Sequence, residues 1–144
     1  MAKRAQIEDL ADHLHSAAIL LLRLVRVQDT ASGIAPARLS ALSVIVFGGP
    51  VSLSDLARAE QVKPPTMSRI VDALEADGLA RRRVNQQDRR ALLIEASEKG
   101  AAMLKEGRKR RVKFLALYLS HLENSELSDI ERAVQAIQKA LRQQ

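Results

Sequence analysis

Five arginines, Arg81, Arg82, Arg83, Arg89 and Arg90, crowd into ten residues opposed only by Asp88. A guanidinium keeps its charge and offers a planar fork of donors, which suits phosphate oxygens and the O6 and N7 edge of guanine. Just upstream, Pro64 to Gly78 has helical spacing, with Met67, Ile70, Val71 and Leu74 as its apolar stripe. What remains outward is Pro65, Thr66, Ser68, Arg69 and Asp72, a polar face suited to a groove. Arg69 is the residue expected to read a base edge. Lys63, Thr66 and Ser68 suit phosphate contacts that set register. Pro65 is placed either to press on a thymine methyl or simply to start the helix. Arg90, and with it Arg89, is expected over the minor groove, where narrow A·T tracts attract arginine. Asp88 or Asp72 is expected to orient such an arginine through a charge-assisted pair. Arg81 and Arg83, alternating on one extended face, read as solvated charges.

Other chemistry finds little support. With no cysteine, disulfides, thiolate metal sites and thiol redox sensing are excluded. His13 and His15 are two apart on a helix and cannot share a face to chelate one metal, and His121 lies near a helix end. The three read as partly buried residues near a subunit seam. No nucleophile–base set, phosphate loop or carboxylate pair stands at a recognisable spacing, so the chain reads as a non-enzyme that needs no cofactor or metal. The only aromatics, Phe47, Phe114 and Tyr118, fall at helical positions, which disfavours stacking on single strands or RNA.

The elements that must hold these residues follow from periodicity. Ile7, Leu10, Ala11, Leu14, Ala18, Leu21 and Val25 predict a long helix ending near Gln28, and Leu20, Leu22 and Leu24 make it apolar around most of its girth. Such a helix is either deeply buried or paired with a second copy. A second helix is expected from Pro36 to Phe47, stopped by Gly48-Gly49-Pro50. Ser52 starts a short helix with Asp55 in a capping-box place. Pro64 and Pro65 fit only the first turn of the next, and Gly78 fits its stop. Leu79–Val84 and Arg90–Glu95 read as a two-stranded wing around the turn Asn85–Arg89. Ser97 caps a long helix running to about Leu122, and Asn124 or Ser125 caps the last. Leu127, Ile130, Val134, Ile137 and Leu141 give that last helix a short heptad seam that wants a partner.

Composition sets outer bounds. The chain has 144 residues, most simply one domain, of which 47% are hydrophobic. Its formal charge of +6 and pI near 10.2 suit a polyanionic partner. A second basic run, Lys105, Arg108, Lys109, Arg110, Arg111 and Lys113 against Glu106, reads as a solvated face. The N-terminus lacks the pattern of a signal peptide, and the longest apolar run, Ala17 to Leu22, is far short of the ~20 residues that span a bilayer. A soluble, cytoplasmic chain without a membrane partner is the expectation.

The order of these elements resembles the MarR family of winged helix-turn-helix regulators over nearly the whole chain. The most specific part is the wing signature: Asp88-Arg89-Arg90, a strand, then Ala96-Ser97-Glu98-Lys99-Gly100. Met67 to Asp72 with Leu74 and Gly78-Leu79 is similar to the family's recognition helix and its exit. Ala96-Ser97 departs from the family's Leu-Thr pair, the wing turn lacks the usual prolines, and Lys63 replaces a short polar cap. The fold implied is mainly α: a winged helix-turn-helix with a small two-stranded wing, plus dimerisation helices from both chain ends. As a single domain over 1–144, residues 32–100 would form the DNA-binding lobe and 1–31 with 101–144 the dimerisation helices. The resemblance implies a homodimer on a palindromic operator of double-stranded DNA, usually repressing transcription. It also implies a small aromatic or anionic effector bound between lobe and dimer helices. An architectural protein that binds duplex DNA without sensing a ligand is the competing expectation.

Overall fold

The computed structural model describes residues 1–142. Helix α1 (Ala2–Arg26) continues as a 3-10 helix (Val27–Ser32), where Thr30 Oγ1 donates to Val27 O and Ser32 Oγ to Asp29 O. The regular helix therefore stops two residues before the expected Gln28, because these hydroxyls favour the tighter winding. Gly33, at φ 70°, ends it. Helix α2 (Pro36–Gly48) opens on a proline, whose missing N–H would be orphaned there in any case. Strand β1 (Val51–Ser52) leads into α3 (Leu53–Ala59), whose first turn is capped by Ser52 Oγ accepting the Asp55 N–H at 3.1 Å.

Helix α4 (Pro64–Ala76) begins on the two prolines and leaves through Gly78 at φ 72°. There the Gly78 N–H donates to Glu75 O and the Leu79 N–H to Leu74 O, the paired bonds of a Schellman stop. Strands β2 (Ala80–Val84) and β3 (Leu92–Ala96) make the antiparallel wing. The sheet is three-stranded in the order β1-β3-β2, with Val51 opposite Ile94. The expected two-stranded wing thus gains a third strand, whose two residues carry no readable alternation. Strand β3 also starts later than expected, so Arg90 belongs to the turn. Helix α5 (Glu98–Leu119) is capped by Ser97, whose Oγ accepts the Gly100 N–H and donates to Gly78 O. Helix α6 (Asn124–Leu141) is capped by Glu123, not by Asn124 or Ser125. Glu126 accepts the Glu123 N–H at 2.9 Å, which places the capping box one residue earlier.

The core lies where α2, α3, α4, β3 and the start of α5 meet. Leu42, Ile45, Leu56, Met67, Val71, Leu74, Leu79 and Ile94 are fully buried. At roughly 1.5–3 kcal/mol for each large side chain, this cluster is the main force fixing α4 against the sheet. Close approach is essential at one point: a Cβ on Gly100 would meet Leu79 O at 2.2 Å. Around this cluster Ile34, Leu39, Val46 and Met103 are half-buried, but the helices beyond it leave much apolar surface bare. Ile7, Leu10, Leu20 and Leu22 on α1, Val112, Leu117 and Tyr118 on α5, and Ile130, Val134 and Leu141 on α6 are exposed. No single helix among the described residues is long and apolar enough to cross a membrane.

Candidate nucleic-acid interface

Helix α4 buries Met67, Val71 and Leu74 and half-buries Ile70, so its opposite face is free. Lys63, Pro65, Thr66 and Arg69 are exposed on it, whereas Ser68 is half-buried and so less open than its spacing implied. Lys63 is the N-cap residue, is exposed and makes no side-chain cap bond. Pro64 and Pro65 carry no N–H, so this helix start offers a phosphate oxygen the Lys63 ammonium and the partial positive charge of the helix end more than a set of backbone donors.

The wing stands beside α4 and is bolted to it. Arg82 is the bolt: its N–H donates to Glu75 Oε1 at 2.9 Å, its Nη1 to Glu75 Oε2, and its Nη2 to Asp72 Oδ1 at 2.8 Å. The side chain keeps only 25% of its surface exposed. This corrects the expected partner of Asp72, which holds Arg82 rather than Arg89 or Arg90. The signal was present in the sequence. Period two places Arg82 on the strand face opposite Arg81 and Arg83, and Asp72 and Glu75 share one face of α4 at i, i+3.

Arg81 and Arg83 are not simply solvated either. Glu95 stands directly across from Arg81 on β3, where Arg81 Nε donates to its Oε1 at 2.6 Å. Arg83 Nε lies 2.8 Å from Glu95 Oε2. The hydrogen bond from Arg81, with the charges of both arginines, holds the Glu95 carboxyl below its ordinary pKa against the opposing effect of partial burial.

At the wing tip, two side chains shape the backbone. Asn85 Oδ1 accepts the Gln87 N–H, and Asp88 Oδ1 accepts the Arg90 N–H at 3.1 Å. Asp88 therefore orients the arginines by turning their backbone, not by pairing with a guanidinium. Arg89 and Arg90 are exposed at this tip, and among the described residues neither they nor Arg69 enters an ion pair. Three unpaired cations thus stand on two adjoining elements whose relative position Arg82 fixes.

A separate cleft of about 390 Å³ opens behind this surface, between the 3-10 segment, α2 and α5. Ile34, Leu39 and Leu104 give it an apolar wall, and Arg26, Asp29 and Arg111 line its polar side. Arg111 Nη1 donates to Asp29 Oδ1 at 2.6 Å, joining α5 to the segment after α1.

Comparison with known proteins matches this arrangement. The model of the MarR family matches residues 32–91, which span α2 to the wing. A Mycobacterium bovis HTH-type transcriptional regulator of uncharacterized function is 34% identical over 132 residues, covering 92% of each chain. The HTH-type transcriptional repressor MdtR of Bacillus subtilis is 30% identical over 95 residues, 66% of this chain and 61% of its own. Among solved structures, a transcriptional regulator from Thermotoga maritima superposes with a TM-score of 0.84 at 25% identity, over 94% of this chain and 96% of that one.

Proposed function

The chain belongs to the MarR family of winged helix-turn-helix regulators, and from that premise we propose that it is a homodimeric repressor of transcription, released from a palindromic operator by a small molecule. One observation carries the reading. Exposed Arg69, Arg89 and Arg90 stand unpaired on α4 and the wing tip while Arg82 locks those two elements together. In that arrangement α4 enters the major groove of double-stranded DNA and the wing follows the minor groove. Arg69 reads a base edge, Lys63, Thr66 and Ser68 hold phosphates, and Pro65 packs at the groove floor.

The named repressor among its relatives supports repression over activation. Residues 32–100 serve as the DNA-binding lobe, and the bare apolar faces of α1, α5 and α6 pair with a second copy. The effector enters the cleft beside Arg26 and Arg111, where an apolar wall and two guanidiniums suit a small aromatic or anionic compound. It releases DNA only by binding the two spacings of the lobes unequally. The protein acts in the cytoplasm, where such DNA is found.

Selection of bound duplexes from a random pool at fixed salt tests the reading. The expected product is a two-fold symmetric consensus whose half-sites lie about one helical turn, 10–10.5 bp, apart or a multiple of it. A bound pool with no sequence enrichment would sink it in favour of an architectural role.

A further inference from the structure

We infer that the outer face of α5 is a second, sequence-independent site for duplex DNA, which takes a segment separate from the one held by α4 and the wing. The inference rests on the chain being a DNA-binding protein but not on its response to a ligand. Lys105, Lys109 and Lys113 are spaced by four and form one row along α5, about 6 Å per step. All three are exposed, as is Arg108 beside them. The opposite side of the helix is spoken for: Leu104 and Gly107 are buried and Arg111 is held by Asp29. The row therefore points away from the body of the molecule.

Its charge balance sets it apart from the other charged faces. Exposed arginines elsewhere have partners one turn away: Arg4 with Glu8 on α1, Arg58 with Asp55 on α3 and Arg132 with Asp129 on α6. Arg23 and Arg26 at the end of α1 are exposed without a partner among the described residues, but they form no longer row. Between Lys105 and Lys113 there are six cations and a single carboxylate. That carboxylate, Glu106, lies 3.3 Å from Lys109 in an exposed pair, too weak to keep the ammonium from a phosphate.

A straight row of ammonium groups without aromatic neighbours fits a regular rod of phosphates and not stacked single strands. Duplex DNA, with about one charge per 1.7 Å of axis, is that rod. The duplex on this row is a separate one because α5 departs from the far end of α4. Ser97 Oγ donates to Gly78 O and Lys99 Nζ to Asp77 O at that junction, and α5 then runs toward α1 and the 3-10 segment. A dimer built on the apolar part of α5 would leave most of the row open. The exposed apolar side chains there, Val112, Leu117 and Tyr118, lie at and beyond the last lysine, and enclosing unpaired cations in an interface is costly.

The test joins two duplexes through the protein. One duplex is immobilised and loaded with the chain, and a fluorescent duplex of unrelated sequence is added at about 0.1 M salt, where exposed charges act over about 10 Å. The unaltered chain should capture the second duplex. The triple change Lys105→Gln, Lys109→Gln, Lys113→Gln should lower capture about tenfold or more and reduce the salt slope by about 2.7 per protomer, three phosphate contacts' worth. Binding to the first duplex should not change.

Lys and Gln have similar helix propensity, so the melting temperature should hold. Replacing the same three by Arg keeps the charge and should keep capture. No capture by the unaltered chain, or equal capture by the Gln variant, overturns the inference. Loss of capture in a chain that shows no sequence preference at α4 would instead overturn the repressor reading and leave this one standing.

Discussion

Arg69 and Arg90 are exposed arginines with the same chemistry, and the backbone beneath each sets them different tasks. Arg69 sits on a rigid helix one turn beyond Pro65, where a fork of donors can be held square to a base edge. Arg90 follows a turn shaped by Asp88 and reaches outward from the tip of a hairpin. Arg69→Ala should cost about 1–3 kcal/mol per half-site and relax preference at one base pair. Arg90→Ala should weaken every sequence, keeping only a bias toward A·T content. Titration against single-base operator substitutions at fixed salt separates them; a uniform loss for Arg69→Ala with a single-position change for Arg90→Ala reverses the assignment.

Arg82 belongs to a third class, a residue that positions others. Its bonds to Glu75 and Asp72 are charge-assisted and partly buried, so Arg82→Ala should destabilise the lobe by about 1–3 kcal/mol. The more telling readout is amide exchange in β2 and the wing tip, which should quicken. Arg82→Lys should fail to restore it, because one ammonium cannot span two carboxylates as the fork does. Exchange in the wing left unchanged by Arg82→Ala would show that the sheet alone fixes the wing. Residue identity made the arginine cluster easy to see in the sequence. It hid the division of labour, since Arg81, Arg82 and Arg83 are alike by type and differ only in the face they occupy.

Among the elements, those with a long periodic stripe were legible and those fixed by single hydrogen bonds were not. The stripe of α4 and its glycine exit follow from spacing alone. Strand β1 escaped notice because two residues cannot show alternation, and Val51 is a strand only because Ile94 is there to pair with it. Gln61, which turns the chain between α3 and α4 at φ 55°, gave no warning, since glycine is the usual occupant of that region. The capping of α6 shifted by one residue for a similar reason: Glu126 reaches the Glu123 N–H, a contact that three-dimensional placement decides.

The wing carries a pH dependence that follows from the same local logic. Glu95 has a lowered pKa because Arg81 and Arg83 favour its ionised form. As pH falls, the unfolded chain takes up that proton in the ordinary carboxylate range, before the folded one does. The resulting stabilisation is complete above that range and is lost as pH falls through the lower folded value. Thermal melts between about pH 5 and 3 should show this loss, and Glu95→Gln should flatten that part of the profile while lowering stability at neutral pH. A variant with the same acid slope as the unaltered chain would place the titration elsewhere.

At the scale of the whole molecule, the core and the bare surface tell one story about assembly. The buried cluster runs from Ala41 to Leu104, and α6 contributes no buried residue to it. Leu10 is 67% exposed on α1 and Leu141 67% exposed on α6, at opposite ends of the sequence. Apolar patches of that extent are far more than a chain of this size leaves in water without a use. The heptad spacing of Leu127, Ile130, Val134, Ile137 and Leu141 suits a helix that packs on another helix, and among the described residues no other element covers Ile130, Val134 or Leu141. In the proposed dimer a second copy would supply the cover with no new chemistry, because a two-fold interface sets the same patch against itself. Such pairing would also set the separation of the two recognition helices, which must match the half-site spacing of a palindrome. Deleting residues 126–144 should therefore leave the lobe's core intact in sequence yet strand α1 and α5 without partners. The expected product is aggregate or unfolded chain, seen by size exclusion and circular dichroism. A soluble, cooperatively melting monomer of that deletion at micromolar concentration would refute the dimer, because the lobe would then be stable with the faces of α1 and α5 bare.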